Sequence, residues 1–127
     1  MELQKIKGNF SICKVASMEQ IDFSRELVFV AKTPDEISLV CESDCVPQET
    51  IKIENGWSVL KISGNLDFGL VGVVAKISNI LADAGISIFV VSTYNTDYIL
   101  MKTENLEKGL QRLMHEGYSI TMQKGCY

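Results

Sequence analysis

Two stretches of this chain occur twice, and that repeat limits the fold more than any other feature. Phe10-Ser11-Ile12-Cys13-Lys14-Val15 matches Trp57-Ser58-Val59-Leu60-Lys61-Ile62 position by position, an offset of 47. Val28-Phe29-Val30-Ala31-Lys32-Thr33 recurs as Ile88-Phe89-Val90-Val91-Ser92-Thr93, and Ile37-Ser38-Leu39-Val40-Cys41 falls on Asp97-Tyr98-Ile99-Leu100-Met101, both at an offset of 60. Each copy is therefore one supersecondary unit of the same kind. The offsets differ by 13, so the second copy carries 13 more residues between its first and second strands.

A helical pattern fills that insertion. Leu70, Val73, Val74, Ile77, Leu81 and Ala84 recur at three- and four-residue spacing, with Lys76, Ser78, Asn79 and Asp83 on the other face. Asp67 is placed to cap the helix, and Gly85 to end it. A second helix reads from Thr103 to Glu116, with Leu106, Leu110, Leu113 and Met114 on one side, Thr103 as its cap and Gly117 as its stop. Strands read at 57–63, 86–93, 97–102 and 118–123, which gives the order β-α-β-β-α-β. The first half repeats the strands near 10–15, 27–33, 36–42 and 51–55, with helical slots shortened to Ala16–Glu26 and Ser43–Thr50 and broken by Pro47. Asn55-Gly56 is a tight-turn signal, so the last strand of the first copy is expected to fold straight back into the first strand of the second. The expected fold is α+β, two ferredoxin-like units in tandem, spanning 1–56 and 57–127.

Composition narrows the partners. The 127 residues carry a net charge of −4 and are 46% apolar. A chain of that length buries roughly 65–70% of its unfolded surface, enough for a core without disulfides or metal. The 12 basic residues are scattered and outnumbered by 16 acidic ones, unlike the dense basic face that binds nucleic acid. The longest apolar runs fall well short of the ~20 residues of a membrane span. Cys13, Cys41, Cys45 and Cys126 form no even framework, and no signal peptide follows Met1, so a reducing cytosol is expected. Cys41 and Cys45 lack the second pair or the histidines that a metal site needs, and no cofactor is expected.

The residues Gly64-Asn65-Leu66-Asp67-Phe68-Gly69-Leu70-Val71-Gly72 and Ala84-Gly85-Ile86-Ser87-Ile88-Phe89-Val90-Val91-Ser92-Thr93-Tyr94-Asn95-Thr96-Asp97-Tyr98-Ile99-Leu100-Met101 resemble the ACT family, in particular its tandem subfamily of bacterial amino-acid-binding modules and CASTOR arginine sensors. The resemblance covers most of residues 8–122, including Lys32-Thr33-Pro34-Asp35-Glu36-Ile37-Ser38-Leu39-Val40-Cys41. It implies a non-catalytic module that binds a free amino acid between ACT units, a homodimer, and action through a separate effector protein. The matching Asp97 would then be a ligand contact.

A zwitterion needs donors for its carboxylate, an anion for its ammonium and a pocket for its side chain. Asp67, Phe68, Gly69, Leu70 and Val71 stand at a helix start, where free N–H groups and the positive dipole end favour an anion. Ser92, Thr93, Tyr94 and Asn95 lead into the turn before Asp97, whose carboxylate can accept from an ammonium. Structural roles compete for the same residues: Asp67 as a cap, Gly69 as a close-packing glycine, Asp97 as a turn residue, and Tyr94 and Tyr98 as core-edge aromatics. Unlike the arginine sensors, the chain offers only Asp67 and Asp97 as acids here. Glu36 and Ser38 occupy the related positions of the first copy. An enzyme would need a nucleophile and base built around the single histidine, His115, and no such arrangement is visible. The alternative is a protein-interaction module that keeps the ACT fold without a ligand.

Overall fold

A computed structural model describes residues 1–63 and 71–123. Eight strands run through it: β1 (Glu2–Lys5), β2 (Phe10–Val15), β3 (Phe29–Lys32), β4 (Ile37–Glu42), β5 (Lys52–Ile62), β6 (Ile88–Ser92), β7 (Asp97–Lys102) and β8 (Ser119–Met122). Two α-helices, α1 (Val73–Asp83) and α2 (Leu106–His115), and two 3-10 turns at Ser43–Cys45 and Thr103–Asn105 complete the order. The fold is α+β with a mixed sheet. The chain divides into two compact units, Gly8–Trp57 and Met1–Lys7 with Ser58–Tyr127.

In the Gly8–Trp57 unit, β3, β4, β2 and the first half of β5 pair antiparallel in that order. Cys13, Val15, Ile21, Leu39 and Cys41 form its core. Among the described residues this unit holds no α-helix, in keeping with shortened helical slots. The other unit has the order β6, β7, β5, β1, β8, with β8 parallel to β1 and the pairs β6–β7 and β1–β5 antiparallel. Its core joins Leu3, Leu60, Ile62, Ile77, Leu81, Ile99, Met101 and Leu113, all fully buried. Fully burying such a side chain contributes ~1.5–3 kcal/mol. Both helices end in the same way: the amides of Gly85 and Ile86 bond to Ala82 and Leu81 carbonyls, and those of Gly117 and Tyr118 to Met114 and Leu113, the paired pattern of a Schellman ending.

The repeat holds residue by residue. Phe29↔Val40, Val30↔Leu39, Ala31↔Ser38 and Lys32↔Ile37 in one hairpin become Phe89↔Leu100, Val90↔Ile99, Val91↔Tyr98 and Ser92↔Asp97 in the other. Both turns close through a threonine: the Thr33 amide donates to the Glu36 carbonyl at 2.9 Å and the Thr93 amide to the Thr96 carbonyl at 2.8 Å. Each copy also ties its first strand to the 3-10 turn by a hydroxyl pair, Ser11 Oγ to Ser43 Oγ and Ser58 Oγ to Thr103 Oγ1, both at 2.8 Å.

Four expectations are corrected. Asn55-Gly56 makes no hairpin: β5 runs unbroken from Lys52 to Ile62. Between Phe10↔Trp57 and Ile12↔Glu54 the register slips by one residue, so Gly56, at φ 81°, supplies the left-handed conformation to a β-bulge instead of a turn. The N-cap of α1 is Gly72 and not Asp67, which lies outside the described residues. Thr103 does not cap α2: it opens the 3-10 turn, the N-cap of the helix is Asn105, and the Thr103 hydroxyl pairs with that of Ser58. Met114 is 49% exposed, and the inner face of α2 is completed by buried Gly109 in its place. The strand β1 has no counterpart in the sequence reading, which places residues 1–7 with the first copy. Leu3 and Lys5 are buried in this strand, and it lies between β5 and β8.

Candidate functional site

An open cavity of about 260 Å³ lies at the start of α1, in the unit formed by Met1–Lys7 and Ser58–Tyr127. Met1, Val71, Gly72, Val73, Lys76, Glu116, Gly117 and Tyr118 line it. Two helix ends build it. On one side the Lys76 amide makes the first helical bond, to the Gly72 carbonyl at 2.9 Å, so the amides of Val73, Val74 and Ala75 precede the helical ladder. Gly72 offers no side-chain cap, and the first turn of α1 contains no acidic residue. The positive end of the helix dipole there is unmatched by an N-cap side chain. On the other side the Schellman ending of α2 turns the chain at Gly117 and sets Tyr118 against the core.

The charges are of both signs. The Lys76 ammonium stands 6.0 Å from the centroid of the Tyr118 ring, within reach of a cation–π attraction. Burial, and next the Glu116 carboxylate, push the Tyr118 hydroxyl above its usual range, so it stays protonated. The cavity thus presents an ammonium and helix amides to an anion, and the Glu116 carboxylate to a cation. It is somewhat smaller than the roughly 300–1,000 Å³ of drug-sized sites, and so suits a small molecule.

The sequence candidates are placed as follows. Asp67, Phe68, Gly69 and Leu70 lie outside the described residues. Val71 is 94% exposed and forms part of the cavity rim. Ser92, Thr93, Tyr94, Asn95 and Asp97 gather at the β6–β7 hairpin and, among the described residues, are not part of the cavity lining. There the Ser92 hydroxyl donates to Asp97 Oδ1 across the strand pair. Thr93 and Thr96 close the turn, Thr93 Oγ1 donating to the Thr96 carbonyl at 2.9 Å, so the turn does not depend on Asp97. Thr96 Oγ1 donates to the Ile62 carbonyl at 2.7 Å and anchors the turn to β5. Tyr94 is 84% exposed.

Lys76, Glu116, Tyr118 and Met1 are cavity residues that the sequence reading did not select. Lys76 was visible only as a polar position on a helix face, and Glu116 and Tyr118 only as the end of α2 and the start of β8. The one available signal was the pair of helix-terminal glycines, Gly72 and Gly117, since a ferredoxin-like unit sets the start of its first helix beside the end of its second. Among the described residues, no group of three or more His, Cys, Asp or Glu side chains is arranged to hold a metal ion. No helix among them is long and apolar enough to cross a membrane.

Comparison with known proteins agrees with this architecture. Residues 52–114 match a family model described as an ACT domain. The structure is similar to that of protein Atu0741 from Agrobacterium tumefaciens, with a TM-score of 0.88, 31% identity, and coverage of 99% of this chain and 96% of that one. It is also similar to protein VC0802 from Vibrio cholerae, whose function is unknown, with a TM-score of 0.71, 24% identity, and coverage of 90% and 88%. The fold alone is shared with the regulatory subunit of aspartate kinase from Thermus thermophilus, in its ligand-free form, with a TM-score of 0.63, 12% identity, and coverage of 89% and 95%. No functionally curated protein matches. The match over β5 to α2 identifies an ACT domain in residues 52–114, and the fold is the one seen in a regulatory subunit of aspartate kinase.

Proposed function

We propose that this protein is a non-catalytic sensor that binds a free amino acid, organised as two ACT-like units in tandem and working as a homodimer on a separate effector in a reducing cytosol. The observation that carries the reading is the cavity at the start of α1, which offers opposite charges to the two ends of a zwitterion. In this reading the ligand carboxylate meets the first-turn amides of α1 and Lys76, and its ammonium meets Glu116. Of the sequence candidates Asp67 to Val71, the described one, Val71, borders the same helix start. The group Ser92, Thr93, Tyr94, Asn95 and Asp97 is a second contact surface, which the cavity does not require. Free thiols at Cys13, Cys41 and Cys45 accord with a reducing compartment.

A thermal-shift screen of the purified protein against the twenty amino acids tests the reading. A ligand at 100 times its Kd adds ~2.7 kcal/mol of stability. Lys76→Met and Glu116→Gln are each expected to weaken that ligand at least tenfold, about 1.4 kcal/mol, while leaving the unliganded midpoint nearly unchanged. If no amino acid at millimolar concentration moves the midpoint, the sensor reading fails and the alternative, an ACT interaction module without a ligand, takes its place. Asp97→Ala separates the two surfaces: an unchanged affinity confines binding to the cavity.

A further inference from the structure

Away from the cavity, in the Gly8–Trp57 unit, three thiols share one core cluster. Cys13 on β2 and Cys41 on β4 are buried within it, and Cys45, from the 3-10 turn after β4, packs against it half-buried. Cys41 shares the cluster with Cys13 and with Cys45, which packs against it. The Cys45 thiol also donates to the Glu42 carbonyl at 3.2 Å. The charged groups around it are Arg25, close enough to Cys45 to interact electrostatically, and the carboxylates that hold Arg25: Asp44 at 3.0 Å, Asp22 at 3.5 Å and Glu42 at 3.6 Å. The thiols differ in reach, since Cys41 is 2% exposed and Cys45 is open in part to solvent.

We propose that Cys45 and Cys41 are a peroxide-responsive pair that closes into a reversible disulfide. The Cys45 thiolate attacks one oxygen of hydrogen peroxide and the O–O bond breaks. Cys45 becomes a sulfenic acid, and the departing hydroxide takes up the proton released from the thiol to leave as water. The Cys41 sulfur then attacks the Cys45 sulfur, the S–O bond breaks, and the hydroxyl leaves as a second water with the Cys41 proton. The two sulfurs lose two electrons and one peroxide becomes two waters. A small-molecule thiol reverses the bond by exchange.

The order of events follows from position. Peroxide reaches the half-buried Cys45 and not the enclosed Cys41. Burial pushes the Cys41 thiol up to about 12, so it is inert to peroxide directly and reacts only once a sulfenic sulfur stands beside it. Closing the bond takes Cys45 from the Glu42 carbonyl and joins the end of β4 covalently to the turn whose Ser43 hydroxyl holds Ser11. Oxidation therefore acts on the corner where the first strand of this copy is fastened.

Peptide mapping of the full-length native protein decides the matter, because trypsin separates the alternatives. Cys41 and Cys45 fall on one peptide, residues 33–52, Cys13 falls on 8–14, and Cys126 on 125–127. After brief exposure to hydrogen peroxide, blocking with iodoacetamide and digestion without reductant, peptide 33–52 is expected to escape alkylation and to be about 2 Da lighter. Dithiothreitol should restore both alkylation sites. In Cys41→Ala, dimedone is expected to label Cys45. The proposal is overturned if peptide 33–52 is alkylated twice, if it is cross-linked to 8–14 or 125–127, or if Cys45 proceeds to sulfinic acid while Cys41 stays reduced.

Discussion

The paired hydroxyls that fasten each first strand to its 3-10 turn make a stringent test of the repeat as a physical object. Ser58 is 2% exposed and its Oγ lies 2.8 Å from Thr103 Oγ1. Replacing Thr103 alone leaves the buried Ser58 hydroxyl without that partner, which costs ~1–3 kcal/mol, whereas replacing Ser58 leaves the exposed Thr103 hydroxyl to water, and removing both forfeits only a net hydrogen bond of ~0.5–1.5 kcal/mol. Ser58→Ala and Thr103→Val, singly and together, form a double-mutant cycle. Urea unfolding followed by far-ultraviolet circular dichroism reports it, since α1 and α2 belong to the same unit as this pair. The double variant is expected to lose less stability than the two single losses combined, by about 0.5–1.5 kcal/mol. The equivalent cycle at Ser11 and Ser43 should couple as well, with a larger single loss at Ser11, whose hydroxyl also donates to Asn55 Oδ1 at 2.7 Å. Because that proton is committed to Asn55, Ser43 must be the donor to Ser11. Additive losses within about 0.3 kcal/mol in the Ser58 cycle would refute the reasoning.

Three further outcomes are expected. Gly56→Ala should cost ~1–2 kcal/mol by urea unfolding, all of it conformational, because Gly56 sits at φ 81° and an added Cβ would meet nothing within 4 Å; a neutral or stabilising result would remove the bulge as the reason for this glycine. Leu81→Ala should cost ~3–5 kcal/mol, since Leu81 is fully buried and its side chain already stands against the α2 backbone at Gly109; a loss under about 1 kcal/mol would mean that the two helices do not pack as described. Alkaline pH should destabilise the fold. Burial raises the Cys41 thiol from its ordinary 9.0 to about 12 and raises Cys13 in the same direction, so the native state keeps protons that the unfolded chain gives up. That contribution is complete below pH 9 and is lost as the pH climbs toward 12. A Cys41→Ala, Cys13→Ala variant should show a shallower fall over that window, and an unchanged slope would count against the thiols as its source.

Most of the sheet was legible because strand pairing is written locally. The alternation in Val28–Thr33 and Ile37–Cys41 and its recurrence at an offset of 60 are statements about which side chains face one core, and the registers follow them pair for pair. What escaped was set by tertiary context. Glu2–Lys5 carries one aliphatic side chain in four residues, too little for a periodicity, and becomes a strand only because β5 and β8 offer it ladders on both sides. Asn55-Gly56 satisfies the requirement for positive φ equally well as a turn or as a bulge. The choice falls to the bulge because β2 holds Phe10 against Trp57 on one side of it and Ile12 against Glu54 on the other. Lys76 is far in sequence from Glu116 and Tyr118 and meets them only where the start of α1 and the end of α2 share one edge of the unit.

The two copies agree in their hairpins, their threonine turns and their hydroxyl pairs, and differ in the 13 residues that the second inserts and the first lacks. Features kept in both copies are those the sheet needs in order to close, and they can be explained without a ligand. The cavity belongs to what differs. It requires a helix start beside a helix end, and among the described residues only the unit with α1 and α2 has either. Asp97 shows the same division from the other side. Its place in the hairpin is matched by Ile37, which bears no charge, so the fold does not demand a carboxylate there, and the Ser92 hydroxyl that engages it is matched by Lys32. Asp97 is thus a carboxylate that the fold does not demand, in the copy that also carries the cavity.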